Sequence, residues 1–179
     1  MRNAQHGRYY IPIFVAALVL MVSIAGCSKG SGESKIFELA EPFAVSVQVD
    51  VPRGWSEKAS ESMVRLLPSD AGEHDMENLS IFASRCPGSD ADDAAWDDCV
   101  KRVFERRHGD SIDGAERESL SGDRLWVEKR ITDGPTGENL AGDLYIPTED
   151  GLVMCGAALY EHQDRLAAYR GVCESLALP

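Results

Sequence analysis

From Phe43 to Val51 the chain reads Phe-Ala-Val-Ser-Val-Gln-Val-Asp-Val, with an apolar residue at every second position and no fault in the alternation. Successive side chains of a strand point to opposite faces. The run therefore puts Phe43, Val45, Val47, Val49 and Val51 on one side and small or polar groups on the other. This is a half-buried strand, and the rest of the chain must supply the core that it faces. Pro52-Arg53-Gly54 ends it, and Trp55 follows as a core or rim aromatic.

Further elements follow from the same kind of punctuation. Ser62 to Leu67 reads as a second strand closed by Pro68, and the polar stretch Ser69 to Glu77 as a loop. Leu79, Ile81 and Ala83 mark a third strand ending near Cys86. Pro87-Gly88 then leads into a helix from Asp90 to His108, with Ser89 and Asp92 spaced as a capping box and Gly109 as its left-handed terminator. Trp96, Val100, Val103 and Arg107 fall on one side of that helix, with Cys99 and Phe104 beside them. Four more strands are predicted at about Ala115 to Leu120, Arg124 to Thr132, Leu140 to Ile146 and Leu152 to Tyr160, joined by short Gly-, Pro- and Asp-containing turns. A closing helix from about Gln163 to Leu176 carries Leu166, Tyr169, Val172, Cys173 and Leu176 on an apolar stripe. Strands joined by tight turns, with one helix inside the series and one after it, predict an α+β fold: a mainly antiparallel sheet of six or seven strands covered by two helices.

The amino terminus follows different rules. Arg2, His6 and Arg8 precede an apolar run from Ile11 to Ile24, the signal-peptide pattern, and the run meets Ile24-Ala25-Gly26-Cys27. An aliphatic residue, two small residues and a cysteine resemble the lipobox of bacterial lipoproteins. That resemblance implies diacylglyceryl transfer to the Cys27 thiol, cleavage before Cys27, acylation of the new amino terminus, and a palmitate-class anchor in the cell envelope. Ser28, rather than Asp, after Cys27 implies sorting to the outer membrane, facing the periplasm. Residues 1–26 are then the signal peptide, 27–35 a Gly- and Ser-rich tether, and 36–179 a single globular domain. An uncleaved membrane helix is the competing reading of the same segment, weakened by Pro12, by Ser23 and by the lack of a basic cluster after it.

The whole chain has 18 basic and 30 acidic residues, a formal charge of −12. Removing residues 1–26 takes away Arg2 and Arg8 but no acid, so the mature chain holds 16 basic residues against 30 acidic and the charge becomes −14. Such a surface repels phosphate backbones, which excludes nucleic acid as a natural partner, and it repels anionic headgroups, so membrane attachment needs the lipid on Cys27. A protein partner, basic in character, is electrostatically favoured.

The strand from Phe43 to Val51 running into Pro52-Arg53-Gly54-Trp55, together with a late strand from Gly151 to Tyr160 feeding a helix that ends near Ser175-Leu176, resembles the PsbP-like superfamily. That superfamily includes a photosystem II extrinsic protein, a eukaryotic nuclear-import factor and many bacterial envelope lipoproteins. The resemblance implies an α/β/α sandwich over most of the globular part. Its motifs punctuate the fold and carry no chemistry.

With Cys27 assigned to lipid, Cys86, Cys99, Cys155 and Cys173 remain, an even number in an exported chain. Of the three pairings open to four cysteines, Cys86 with Cys99 and Cys155 with Cys173 are favoured because each is local in sequence and joins elements that must pack. Zinc or redox use would call for a Cys-x-x-Cys pair, and the chain has none.

No Gly-x-Ser-x-Gly elbow, phosphate loop or His-Glu-x-x-His occurs, so no catalytic constellation, metal or cofactor is assigned. The acids Asp90, Asp92, Asp93, Asp97 and Asp98 are explained by the helix dipole and by pairs with Lys101 and Arg102. His74, Asp75 and Glu77 share a polar loop without a metal-binding spacing, His108 caps a helix end, and His162 opens the closing helix. Trp126 points away from Leu125, Val127 and Ile131, on the side carrying Glu128 and Arg130. It lies either under a helix or exposed, and Trp126, Glu128 and Arg130 are the candidate binding surface. The expected function is a non-enzymatic, membrane-anchored interaction module. The alternatives are a periplasmic immunity protein against a secreted toxin, allowed by the resemblance, and a small hydrolase or metal- or small-molecule-binding module.

Overall fold

The computed structural model describes residues 32–70, 77–86, 93–134 and 137–179. The lipobox, His74, Asp75 and the capping box at Ser89 lie outside these residues. Nine strands and two helices follow in order: β1 (Glu33–Leu39), β2 (Val45–Val51), β3 (Ser56–Ala59), β4 (Met63–Leu67), β5 (Leu79–Arg85), α1 (Asp93–His108), β6 (Glu116–Leu120), β7 (Arg124–Gly134), β8 (Gly137–Thr148), β9 (Gly151–Leu159), a 3-10 turn (Gln163–Arg165) and α2 (Leu166–Glu174). Strands β3 to β9 form one antiparallel sheet in the order β3-β4-β5-β9-β8-β7-β6, and β1 pairs with β2 in a separate two-stranded sheet. The α+β expectation holds: a mainly antiparallel sheet with helices on both faces.

β2 is the strand that the two-residue alternation predicts. Val47, Val49 and Val51 are buried, with Val45 and Phe43 packed at the margin of the same core. That core lies between the large sheet on one side and the β1-β2 hairpin with α2 on the other. Val64, Leu66, Leu79, Ile81, Leu144, Val153 and Leu159 meet Leu166, Tyr169, Val172 and Leu176 there. Trp55 packs edge-on against Tyr169, ring centroids 5.2 Å apart. A second core sits on the opposite face, where Cys99, Val100, Val103 and Phe104 of α1 cover Val127, Ile131, Ala141, Tyr145, Leu152 and Met154. Gly109 ends α1 at φ +69°, as expected of a helix terminator.

Two strands escape the sequence reading. β3, Ser-Glu-Lys-Ala, is exposed at all four positions and lies at the sheet edge, so it has no apolar period and is held by its backbone pairing to β4. β1 begins at Glu33, inside the stretch assigned to the tether. Glu33 through Leu39 pair in unbroken register with Val51 through Val45, which corrects the end of the tether and the start of the folded part. Backbone hydrogen bonds to β2 hold Glu33, Ser34 and Lys35 although their side chains are polar.

Both favoured cysteine pairs meet. Cys86 and Cys99 lie with Cα atoms 5.8 Å apart, linking the end of β5 to α1. Cys155 and Cys173 lie 5.5 Å apart, linking β9 to α2. Each bridge ties a helix to the sheet face that it covers.

Candidate functional site

β8 carries Leu140-Ala-Gly-Asp143-Leu-Tyr145-Ile, an acid in the middle of an apolar strand, and Asp143 is 0% exposed. A buried carboxylate needs partners, because desolvation disfavours its charged form. The sheet register sets them out. Arg65 of β4, Ser80 of β5, Gly156 of β9, Asp143 of β8 and Val127 of β7 are successive Cα partners in one row across the sheet. The last turn of α1 comes down on this row.

His108 Nε2 lies 2.6 Å from Asp143 Oδ2, and the Tyr145 hydroxyl donates to the same oxygen at 3.1 Å. Arg107 Nε lies 3.4 Å from Asp143 Oδ1, and Arg107 Nη2 donates to the Gly156 carbonyl at 2.7 Å. The Arg107 guanidinium covers the Phe82 ring at 5.7 Å, and the His108 ring packs on Phe104 at 4.6 Å. Gly156 is required here. A Cβ at that position would fall on the Asp143 carboxylate and within 2.5 Å of the Gly142 carbonyl oxygen. Burial alone would push the Asp143 carboxyl up. The electrostatic pull of His108 and Arg107 and the hydrogen bonds from His108 and Tyr145 outweigh it, so the group lies below its ordinary value. Burial, and then the Asp143 charge, push the Tyr145 phenol well above its ordinary value, so it stays a donor.

Past the end of α1 this face of the sheet is open. A recess of about 270 Å³ lies there, with Arg65, Ser80, Asn78 and Ala158 along its floor and Arg107, His108, Asn139 and Tyr160 around it. Asn139 is 4% exposed, and its Oδ1 has no hydrogen-bond partner. Arg65 is exposed, its Nε touching the Met63 sulfur at 3.4 Å, and among the described residues no carboxylate pairs with it. The Ser80 hydroxyl donates to Asn78 Oδ1 at 2.8 Å rather than to His108. No Asp or Glu among the described residues lines the recess.

No protein-family model matches the chain, and no curated protein matches it in sequence. Among solved structures it is similar to the solution structure of cyanobacterial PsbP (CyanoP) from Synechocystis sp. PCC 6803. The TM-score is 0.49 and the identity 18%, over 87% of this chain and 99% of that one.

Of the surface expected at Trp126, Glu128 and Arg130, the tryptophan is buried, whereas Glu128 is half-buried and Arg130 exposed. Trp126 is 2% exposed and belongs to the core beneath α2. The helix can close over it because Gly142 lies beneath. A Cβ there would meet the Leu166 methyl at 2.5 Å and the Trp126 ring at 2.9 Å. Arg170 of α2 lies over the indole at 5.2 Å, and the indole N–H points to Glu128 Oε2 at 3.5 Å. Arg130 is engaged by Glu138 at 2.6 Å and by Gln163 at 2.9 Å. The three side chains serve the seam between sheet and closing helix.

Other singled-out residues also find structural roles. Glu77 accepts backbone N–H bonds from Tyr160, Glu161 and His162 at 2.6, 2.5 and 3.1 Å, fixing the turn into α2. Burial would push its carboxyl up, but those three amides hold it below its ordinary value. Lys129, out of place on the inward side of β7, reaches the Ser111 carbonyl and, at 2.9 Å, Asp110. Asp97 pairs with Arg117 of β6 at 3.1 Å rather than with Lys101. A larger cleft of about 640 Å³ includes Trp96 and Leu125, but its arginines are engaged: Arg117 by Asp97, and Arg124 by the carbonyls of Cys173 and Glu174. Among the described residues, no group of three or more His, Cys, Asp or Glu side chains is placed to hold a metal ion, and no helix is long and apolar enough to cross a membrane.

The sequence reading placed His108 at the helix end but missed its pairing with Asp143 and the recess beside it. The available signal was Asp143 itself, an acid that a core-facing strand must pair.

Proposed function

We propose that this chain is an exported lipoprotein, anchored through Cys27, whose domain binds a partner in the recess at the carboxyl-terminal end of α1 and does no covalent chemistry there. One observation supports the reading: the recess brings Arg65, Ser80, Arg107 and His108 together, and among the described residues no Asp or Glu lines it. The His108–Asp143 contact beside the recess serves the fold. It fastens α1 to the sheet, while Ser80, the hydroxyl nearest in the row, is turned to Asn78. The Ile24-Ala25-Gly26-Cys27 motif and the two cysteine pairs support an oxidising compartment outside the cytosol.

The test is a ¹H–¹⁵N NMR screen of the mature protein in detergent against short peptides, small saccharides and divalent cations, with ester and peptide hydrolysis followed in parallel. Saturable shifts at Ser80, Asn139 and Tyr160 without turnover are expected. Turnover abolished by His108→Ala, or an absence of shifts around the recess with every compound, would overturn the proposal.

A further inference from the structure

Resting on the reading of the recess as a binding site, we infer that it takes a carboxylate group, held between the guanidinium groups of Arg65 and Arg107. The register brings these two together. Met63 of β4 and Phe82 of β5 are Cα partners, and Arg65 and Ser80 are partners one step further along the same face. Arg65 folds back along its own strand, with Nε 3.4 Å from the Met63 sulfur. Arg107 comes down from α1 over the Phe82 ring, 5.7 Å from its centroid. The two cationic heads therefore lie over neighbouring residues of one strand pair, whose backbones are about 5 Å apart. Arg107 is fixed there, because its Nη2 donates to the Gly156 carbonyl and its Nε is turned to Asp143. Its side chain keeps 15% exposure, and both arginines line the recess. Like charges this close repel, and an anion seated between them removes the repulsion.

The charge balance selects the class of anion. Asp143 offsets Arg107 from behind, while among the described residues no carboxylate pairs with Arg65 or lines the recess. One positive charge is left over, which matches a monoanion. A dianion such as phosphate would also meet Asp143 and the negative end of the α1 dipole. A planar carboxylate suits the guanidinium fork, and the half-buried Met63 and Phe82 beneath it keep water from one side of the pair. Ser80 and His108 are not among the contacts: the Ser80 hydroxyl is given to Asn78, and the His108 side chain is 2% exposed and bonded to Asp143. The chain as a whole carries a formal charge of −12, so the site is a local exception to the protein's field.

The experiment titrates sodium acetate, acetamide and inorganic phosphate, at constant ionic strength, into the mature protein in detergent. It is read by ¹H–¹⁵N NMR at the Arg65 and Arg107 Nε–H signals and the Ser80 and Phe82 amides. Acetate should shift these signals saturably, with a Kd of roughly 10 mM. Acetamide, its neutral counterpart, should bind about tenfold more weakly or not at all, and phosphate no tighter than acetate. Arg65→Gln should weaken acetate binding about tenfold, and Arg65→Lys should restore part of it. Both should leave the melting temperature unchanged, because Arg65 is exposed and bonds no carboxylate in the fold. An equal response to acetamide, tighter binding of phosphate, or no effect of Arg65→Gln would overturn the carboxylate assignment. Silence toward acetate would overturn it too. If another compound of the wider screen still shifts Ser80 and Tyr160, the recess remains a binding site of another chemistry; if none does, both readings fall.

Discussion

Replacing Asp143 with Asn changes one oxygen to nitrogen and little volume, so it isolates charge from packing. The carboxylate is 0% exposed, and it faces the Arg107 guanidinium and His108. Breaking a buried ion pair from one side costs about 3–5 kcal/mol, because the remaining charge is left without compensation. Arg107 keeps some exposure and its bond to the Gly156 carbonyl, so the lower end applies, about 3 kcal/mol. With a urea m-value of about 2 kcal/mol/M for a domain of this size, the midpoint should fall by roughly 1.5 M at neutral pH with m unchanged. Tryptophan fluorescence follows the transition, since Trp126 lies in the core beneath α2. The pH dependence adds a second, independent check. Asp143 has its folded pKa depressed, so its contribution is fully present above the unfolded value near 3.8 and is lost as the pH falls through the lower folded value. The gap between wild type and variant should therefore hold at pH 5 to 7 and close only well below pH 4. A midpoint within about 0.3 M of wild type at neutral pH would refute the claim that this carboxylate holds α1 to the sheet.

Four further outcomes follow from the same geometry. Gly156→Ala forces a Cβ onto the Asp143 carboxylate and should cost about 1–3 kcal/mol or more in urea unfolding; a neutral result would mean that Asp143 has room to move. Trp126→Ala should cost about 3–5 kcal/mol in chemical denaturation, as a core truncation does, and should leave recess binding by NMR intact once the domain is folded. Replacing Cys155 and Cys173 together with Ser should lower stability by about 3 kcal/mol, as expected for a closed loop of this length with a sequence separation of 18. Glu77→Ala removes the acceptor for three backbone N–H groups and should speed amide exchange at Tyr160, Glu161 and His162 ahead of the rest of the sheet.

Legibility in the sequence tracked how strongly burial stamps a period on the chain. β2, β5, β7 and β9 could be read because one or both faces are buried, and the two helices because their apolar stripes meet sheet cores. β3 could not, since an exposed edge strand of four residues needs no apolar residue. β1 was half hidden for the same reason: Glu33, Ser34 and Lys35 pair through their backbones. Trp126 was a choice between two environments that the strand pattern alone could not make. The closing helix needed a face of the sheet, and Gly142 made the place where it could settle, which becomes visible only once β7 and β8 are known to be neighbours. The site was missed because its parts lie on α1, β4, β5 and β8 and just past β9, elements distant in sequence that only the sheet order and the packing of α1 bring together. Asp143 was the visible clue.

The central proposal is an exported domain anchored at Cys27 and cross-linked outside the cytosol. Non-reducing intact-mass spectrometry of the protein extracted from its native membranes addresses this directly. The predicted product begins at Cys27, carries the added mass of diacylglycerol and an amino-terminal acyl chain, and has Cys86, Cys99, Cys155 and Cys173 all oxidised. A chain that still begins at Met1, an unmodified Cys27 or four free thiols would contradict it.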